Sequence, residues 1–537
     1  MRAKLEHAAV PLAVRLHGER EKAWSAMRAF YAKRGYLPAW WIGGAPRPAA
    51  QRLLAVLDGL DADGLDPRLY PRQELRQLIA AAGSATRPAD RAAAAASLET
   101  GLTYTFLVAA AHLAIGRIQP RERVRVSELS APPAVDLAAA LERALGPGED
   151  VAGVLAGLAP PVAGYGRLRQ ALARYRDLAA KGGWPRVPPG PRLQPGDSGV
   201  RVAALAARLV ASGELPAGAA AAGAGSFDAA LAAALTRFQK THGLASSSPA
   251  VDAATLAALD VPVADRIREI ELNLERVRWT GDPGSRYVLV NIPDFQLFVV
   301  EGGKVVLTMK VIVGKAHRQT PAFSDVMTEI VLNPPWHIPD SIAAGEIEPE
   351  LERDPGYLRR KGYEIRRRDS GGAGGAAVAL GELSDGEVRQ LGKHGSPFRL
   401  VQPPGADNAL GRYKFVFPNH FDVYLHDTPS GRLFARSERD FSHGCIRLEN
   451  PAALAAYVLD GDPQWPPQAV ETALAAGRTV TIPLRRPLPV HILYRTAWVD
   501  PDGTLELRPD VYSHDAWLAA ALAAEKPLWD DLASLRR

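Results

Sequence analysis

The spacing of apolar positions changes character along the chain. Up to about residue 181 the period is helical. Trp24, Met27, Phe30 and Tyr31 recur three or four residues apart, and so do Leu53, Leu54, Leu57 and Leu60. Gly35 and Pro38 break the first run, and Gly64 and Pro67 end the second. An Ala-rich stretch from Arg91 to Ile118 carries Leu98, Leu102, Phe106 and Leu113 along one side. The pattern predicts a helical scaffold domain over residues 1–181. GGWPRVPPGP, residues 182–191, has little helix or strand potential and reads as an extended linker. Over residues 192–260 three more helices are predicted: one with Val200, Leu205 and Leu209, one with Phe227, Leu231, Leu235 and Phe238, and a short VDAATLAAL.

IREIELNLERVRW reads as a last helix, and then the pattern becomes strand-like. YVLVNI, FQLFVVEGG, KVVLTMKVIVGK and TEIVLN are rich in Val, Ile and Phe and are punctuated by Pro-Asp and Gly-Gly turns. They predict an antiparallel meander. From Ile338 to Asn408 the strand signal lapses into charged and Gly-rich text, which predicts an inserted lid subdomain. Gly371, Gly372, Gly374 and Gly375 would give its distal part freedom to move. Strands resume at RYKFVF, DVYLHD, RTVTIPL, VHILYRTAWVD and LELRPDVY. The fold class is multidomain α+β, with a β-rich domain over 261–537 interrupted at 338–408.

Length and composition bound this picture. At 537 residues the chain exceeds one hydrophobic core. An apolar fraction of 47% and a charged fraction of 23% exclude a wholly disordered chain and a polytopic membrane protein. No run of about 18 apolar residues predicts a membrane span. The apolar patch from Ala8 to Leu16 is interrupted by Arg15 and lacks a small-residue cleavage site, so it does not read as a signal peptide. Net charge is 64 − 59 = +5, with the cations scattered. That fits an anionic polymer or surface as partner and does not single out nucleic acid.

The chain has one cysteine, Cys445, so an internal disulfide and a Cys-rich zinc module are excluded. Its surroundings carry the chemistry. His426 ends a predicted strand; fifteen residues, Asp427 to Phe441, separate it from Ser442-His443-Gly444-Cys445. A histidine brought close by the intervening turn can depress a thiol's pKa and activate it as a nucleophile. Gly444 lets backbone pass close to a substrate, and N–H groups at Gly444 and Cys445 can point at an oxyanion. Nucleophile, base and oxyanion donors together point to acyl transfer through a thioester. Two blander readings stand beside this one. Cys445 could be an inert buried thiol, and His426, His443 and Cys445 could ligate zinc, although the usual paired spacings are absent.

Two resemblances bear on these readings. Residues 192–260 are similar to the three-helix peptidoglycan-binding module through Gly196, Asp197 and Gly199, then Phe238, Gln239, Gly243 and Leu244, then Asp252, Thr255 and Leu259. The spaced His and SHGC motif resembles the signature of the L,D-transpeptidases with a YkuD-type catalytic domain. NPPWHIP (333–339), DPGYL (354–358), GRYKFVFPN (411–419) and LHDTP (425–429) look like the large YcbB-like subfamily.

What the resemblance implies is specific. The enzyme would cleave between residues three and four of a tetrapeptide stem, hold the stem as a thioester, and pass it to the amine of a second stem. Cys445 would be the nucleophile and His426 the base, with Asp427 after the base as the third element and His443 and Gly444 lining the pocket. Arg447, two residues after Cys445, would take a substrate carboxylate. Ser442, Trp336 and Tyr413 complete the substrate-binding candidates, Trp336 either lining the cleft or packing beneath it. No cofactor or metal is implied. Partners would be peptidoglycan stems and glycan, with carbapenems as inhibitors, and the location would be periplasmic or wall-facing, as the substrate requires. A hydrolase on the same fold and a non-catalytic wall-binding protein remain as alternatives.

Overall fold

The computed structural model describes residue 5 and residues 18–118, 135–218, 225–244, 248–354, 356–368, 375–388, 390–391, 393 and 395–532. The patch Ala8–Leu16 and the hinge candidates Gly371, Gly372 and Gly374 lie outside the described residues. The chain divides into two compact units. One is Met1–Pro283 together with Tyr494–Arg537, and the other is Gly284–Leu493.

The first unit is mainly helical: α1 (Gly18–Lys33), α2 (Pro48–Asp58), α3 (Arg72–Ser84), α4 (Pro88–Ile115), α5 (Leu137–Ala144), α6 (Val151–Ala156) and α7 (Ala163–Ala180). Trp24, Met27, Leu53, Leu57, Leu102 and Phe106 meet in one core. By length and composition α4 could cross a membrane, but its apolar window is wholly buried here as the central core helix. Its Glu99 carboxyl group accepts from Ala39 N (2.9 Å), Trp40 N (2.7 Å) and Tyr31 Oη (2.8 Å), so a buried polar group binds the loop after α1 with its needs met.

Three shorter helices follow: α8 (Val200–Ser212), α9 (Ala229–Thr241) and α10 (Ala253–Asp260). Asp228 and Asp252 cap α9 and α10 by accepting from Leu231 N and Thr255 N. Leu205, Leu209, Phe227, Leu235, Phe238 and Leu259 form their core. Residues 182–191 contain no helix or strand, yet they pack against the helices that follow. Val187 is buried in that same core, Trp184 Nε1 donates to the Val261 carbonyl, and the Arg208 guanidinium lies 3.8 Å over the Trp184 ring.

Helix α11 (Val263–Trp279) belongs to the first unit. Its Ile270, Leu274 and Val277 are covered by Leu168 and Leu172 of α7 and by the strand pair Ala497–Val499 and Leu505–Leu507. Both ends of the expected catalytic domain therefore bury their apolar sides in the first unit.

The second unit is built on nine strands: β1 (Arg286–Asn291), β2 (Gln296–Glu301), β3 (Lys304–Gly314), β4 (Phe323–Leu332), β9 (Tyr413–Val416), β10 (Leu425–His426), β11 (Asp440–Ser442), β12 (Ile446–Leu448) and β13 (Val480–Leu493). Their order is β11-β3-β12-β10-β9-β4-β13-β1-β2. Strand β3 also pairs with β2 along residues 304–310 before pairing with β12 and β11, so the sheet closes on itself. The meander holds for β1–β3. Strand β4 leaves it to sit between β9 and β13, and β10–β12, β11–β3 and β13–β1 are parallel. Between β12 and β13 lie α12 (Pro451–Val458) and α13 (Pro467–Ala475).

The insertion is not strand-poor, contrary to expectation. With β5 (Trp336–His337) just before it, its strands β8 (Phe398–Gln402), β6 (Glu364–Arg367) and β7 (Ala377–Val378) form a four-stranded sheet in that spatial order. These strands are short and charged, as in EIRR, which hides their alternation. Ile338, Ile342, Ile347, Leu358, Phe398 and Leu400 form a separate core containing no residue of the nine strands. Replacing 338–408 by a short loop is therefore expected to leave the β circular-dichroism signal and a cooperative thermal melt. Loss of both would show that the insertion is part of the sheet's foundation.

Candidate active site

The site is set by how β10 lies between two neighbours. Leu425 pairs with Ile446 and His426 with Arg447 in the parallel register to β12, while His426 pairs with Lys414 on β9. Directly paired residues share a face, so Lys414, His426 and Arg447 stand side by side on one side of the sheet. Cys445 immediately precedes β12, and the Ile446 N–H donates to the Tyr424 carbonyl, so the thiol and imidazole segments run alongside each other. Asp427 N donates to the Tyr413 carbonyl and locks the exit of β10.

His426 is 4% exposed, and its Nδ1 lies 2.5 Å from the backbone carbonyl of Asp427. A carbonyl only accepts, so Nδ1 carries the proton and Nε2 is left as the basic nitrogen. The Asp427 side chain has a different job. Its Oδ1 accepts from Thr428 N (2.7 Å) and its Oδ2 from Arg412 N (2.8 Å). Gly411 has a φ of +59°, and a Cβ there would come within 2.4 Å of Asp427 Cγ. Glycine is thus required for this carboxylate to reach the backbone.

The Ser442–Cys445 turn is held from inside. Ser442 is 2% exposed; its Oγ accepts from Gly444 N (3.1 Å) and donates to the Cys445 carbonyl (2.6 Å). Ser442 therefore spends its hydroxyl on shaping the turn. Gly444 has a φ of +121°, and a Cβ would meet only Gln319 O at 3.6 Å. Its glycine is needed for backbone conformation, not for space. Thr320 Oγ1 fixes the Gly444 carbonyl by donating to it at 2.7 Å. Because the Gly444 N–H is engaged by Ser442, it is not poised as an oxyanion donor. Among the described residues the Cys445 N–H has no acceptor.

A loop that sequence reasoning passed over completes the nucleophile's surroundings. Asn419 donates from Nδ2 to the carbonyls of Phe417 and Val423, both at 2.8 Å, and accepts at Oδ1 from Phe421 N and Val423 N. This folds the loop so that Asp422, at a left-handed φ of +55°, turns its carbonyl to Cys445 Sγ, 3.6 Å away. The Lys414 ammonium lies 4.0 Å over the Tyr424 ring. The signal for this loop was present in GRYKFVFPN, but only as a family likeness.

The charges decide the resting state. Burial first, and then the positive charge of Arg447, push the His426 imidazole down to about 3; its bond to the Asp427 carbonyl opposes this, and Lys414 adds a smaller push down. Burial pushes the Cys445 thiol up, with Tyr424 and Lys414 pulling the other way. Both shifts favour the neutral thiol and the neutral imidazole, the opposite direction from a histidine-depressed thiolate.

Arg447 is half-buried, has no acidic partner among the described residues, and keeps its Nε buried without an acceptor. Such a guanidinium is poised for an anion brought from outside. His443 Nε2 pairs with the Glu346 carboxylate, which the insertion supplies. Trp336 packs edge-on to Tyr363 against the insertion's core. Tyr413 is buried, and the alternation along β9 puts it on the opposite face from Lys414 and His426. The zinc alternative lacks its geometry: the ligand atoms of His426, His443 and Cys445 do not gather within 4.8 Å. Among the described residues Glu19, His112 and Glu525 do gather so, buried in the first unit, where the Arg20 and Arg117 guanidiniums face those carboxylates.

Residues 285–470 match the YkuD family, the L,D-transpeptidase catalytic domain, and residues 25–172 match the scaffold-domain family. The second unit thus contains an L,D-transpeptidase catalytic domain. A Haemophilus influenzae protein provisionally named an L,D-transpeptidase is 33% identical over 248 residues, 46% of this chain. The chain spans about half of that relative, 48% of its length. An L,D-transpeptidase structure from Xylanimonas cellulosilytica is similar at 17% identity, covering 57% of this chain and 100% of that one, with a TM-score of 0.17. Mycobacterium tuberculosis L,D-transpeptidase 1 is similar at 14% identity, covering 40% and 62%, with a TM-score of 0.15.

The raised thiol makes a testable demand on pH. Only the thiolate is alkylated, so its fraction at neutral pH is below that of a free cysteine. Iodoacetamide labelling of Cys445 is expected to keep accelerating with pH past the ordinary thiol value of 9.0. A plateau reached near pH 7 would contradict the neutral pair.

Proposed function

We propose that this protein is a peptidoglycan L,D-transpeptidase of the large, scaffold-bearing YcbB-like type. One observation carries the reading. The chain's single cysteine leaves a glycine-dependent turn beside a histidine whose Nδ1 is tied to a carbonyl, inside the stretch matching the YkuD family.

In the proposed reaction the donor is a tetrapeptide stem, and its carboxylate pairs with Arg447. That pairing offsets the Arg447 charge, which adds to burial in holding the His426 pKa down, so donor binding raises the basicity of His426. Nε2 then takes the thiol proton, and Sγ attacks the carbonyl carbon of the stem's third residue. The oxyanion meets the Cys445 N–H. As the bond to the fourth residue breaks, the imidazolium returns its proton to the departing amine and a thioester remains. An amine of a second stem attacks the thioester, its proton passes to His426, and the released thiolate is reprotonated.

The remaining expectations follow from this reading. Cysteine acylation suits carbapenems as inhibitors, because a β-lactam mimics the acyl donor. The α8–α10 unit would hold the glycan wall, and the insertion would close over the stems through the Glu346–His443 contact. Work on peptidoglycan calls for a periplasmic or wall-facing location. A hydrolase would share every step up to the thioester and differ only in taking water as acceptor.

The test is intact-mass analysis of the full chain with a tetrapeptide stem and an amine acceptor. The wild type is expected to gain the mass of the acyl stem and then yield cross-linked product. Cys445→Ala should do neither while melting like the wild type, since removal of one sulfur costs little packing. Cross-linking by Cys445→Ala would refute the mechanism, and release of the free tripeptide alone would favour the hydrolase.

A further inference from the structure

We propose that Lys414 is a positioning residue for the nucleophile: its ammonium, seated on the Tyr424 ring, holds the Tyr424 hydroxyl to Cys445 Sγ and supplies positive charge to the sulfur once its proton has passed to His426. This rests on the transpeptidase reading and deepens it. The placement follows from register. Leu425 pairs with Ile446 in the parallel ladder of β10 and β12, and the Ile446 N–H donates to the Tyr424 carbonyl. One step back along both segments, Tyr424 stands across from Cys445, as His426 stands across from Arg447. Side chains two residues apart on extended backbone share a face, so Tyr424, His426, Cys445 and Arg447 line one patch. Lys414, paired directly with His426, belongs to the same patch.

Neither end of this contact is engaged elsewhere. Among the described residues the half-buried Lys414 side chain has no hydrogen bond or ion pair, and its ammonium rests 4.0 Å over the Tyr424 ring. A cation is attracted to that electron-rich face, and it draws density from the phenol, which makes the O–H a stronger donor. The Tyr424 hydroxyl has Cys445 as its hydrogen-bond partner. In the resting thiol the S–H points at the Asp422 carbonyl, 3.6 Å away, so a sulfur lone pair is left to accept from Tyr424. Burial first, and then the Cys445 charge, push the Tyr424 hydroxyl well above its ordinary value, so it keeps its proton and donates.

Loss of the proton changes what the sulfur needs. The Asp422 carbonyl accepts from a thiol but repels a thiolate, whereas the Tyr424 O–H and the Lys414 charge both favour the anion. The other charged groups around the sulfur have different work. The Asp422 carboxylate pushes the thiol up, His443 in the turn pairs with Glu346, and Arg447, which also faces the sulfur, is taken by the donor carboxylate in the proposed reaction. Burial lowers the Lys414 pKa, and the charges of Cys445, then Glu329 and Asp422, oppose that, so the thiolate and the ammonium support each other. In the step itself the S–H bond breaks, the proton goes to His426 Nε2, and the electron pair left on sulfur accepts from Tyr424 until it attacks the donor carbonyl. When the acceptor amine opens the thioester, the same contacts receive the departing thiolate. Lys414 also disfavours the imidazolium, so its effect is read on the thiol itself and not through His426.

The pH profile of iodoacetamide alkylation, followed on the full chain by intact mass, tests this, because only the thiolate reacts. Lys414→Met keeps an unbranched side chain and removes its charge. It is expected to alkylate roughly tenfold more slowly at pH 8, with the whole profile moved to higher pH. Lys414→Arg, which restores a cation over the ring, should stay within about twofold of the wild type. Tyr424→Phe keeps the ring under the ammonium but loses the donor, and its profile should move the same way as that of Lys414→Met. A role in packing alone would change the melting temperature and leave the profiles in place. A wild-type profile in Lys414→Met, or a shift that Lys414→Arg does not rescue, overturns the proposal. If Lys414→Met melts early, Tyr424→Phe decides, and a wild-type profile there overturns it. Acylation of the wild type by a tetrapeptide stem separates this from the reading beneath it. Normal acylation with unmoved alkylation profiles removes the role of Lys414 and leaves the transpeptidase reading standing. Shifted profiles rescued by Lys414→Arg, with no acylation of the wild type, would uphold the role of Lys414 at the thiol and refute the transpeptidase reading.

Discussion

A two-residue strand bears the whole site. β10 consists of Leu425 and His426, held between β9 and β12, and its register fixes which side chains share a face. A slip of one residue would move His426 to the other side of the sheet and put Leu425 in the cleft. The neighbouring contacts guard against that slip. Asp427 ties the exit of β10 to Tyr413 and Arg412 through backbone and carboxylate together, and Gly411 makes room for it. Ser442 and Thr320 brace the turn that delivers Cys445 to the same end.

The electrostatics of this arrangement separate resting stability from reactivity. Three basic residues stand in one row, and burial, reinforced by the charges of the outer two, disfavours the charged imidazole. The thiol beside them stays protonated because burial penalises its charge. A neutral pair resists oxidation and stray acylation, since the thiolate is the reactive form. Arg447 keeps its Nε buried without an acceptor, which is what the proposed pairing with a donor carboxylate would use.

Much of this was legible in the chain. The helices carrying Trp24, Leu53 and Leu102 followed from their period, and the strands from Tyr287 to Leu332 from their β-branched runs. The His426 and SHGC spacing located the chemistry. What escaped has physical causes. The insertion's strands are short and charged, so their alternation never exceeded the noise of a loop. The boundary at Gly284 depends on which partner covers Ile270 and Leu274, a tertiary fact with no local signature. Ser442 reads like a substrate ligand until its hydroxyl is seen spanning its own turn. The sign of the thiol shift needed the burial of both groups, because adjacency to a histidine alone suggests the opposite. Glu346 reaches His443 from 97 positions away, and nothing in either segment announces the other.

The central claim is that His426, oriented through Nδ1 by the Asp427 carbonyl, is the base that activates Cys445. Single-turnover acylation of His426→Ala by a tetrapeptide stem, read by intact mass, tests it most directly. Acylation is predicted to slow by roughly 100- to 10,000-fold, the range for a lost general base, while Cys445 remains open to alkylation at high pH. Acylation at the wild-type rate would contradict the account and move the base to His443.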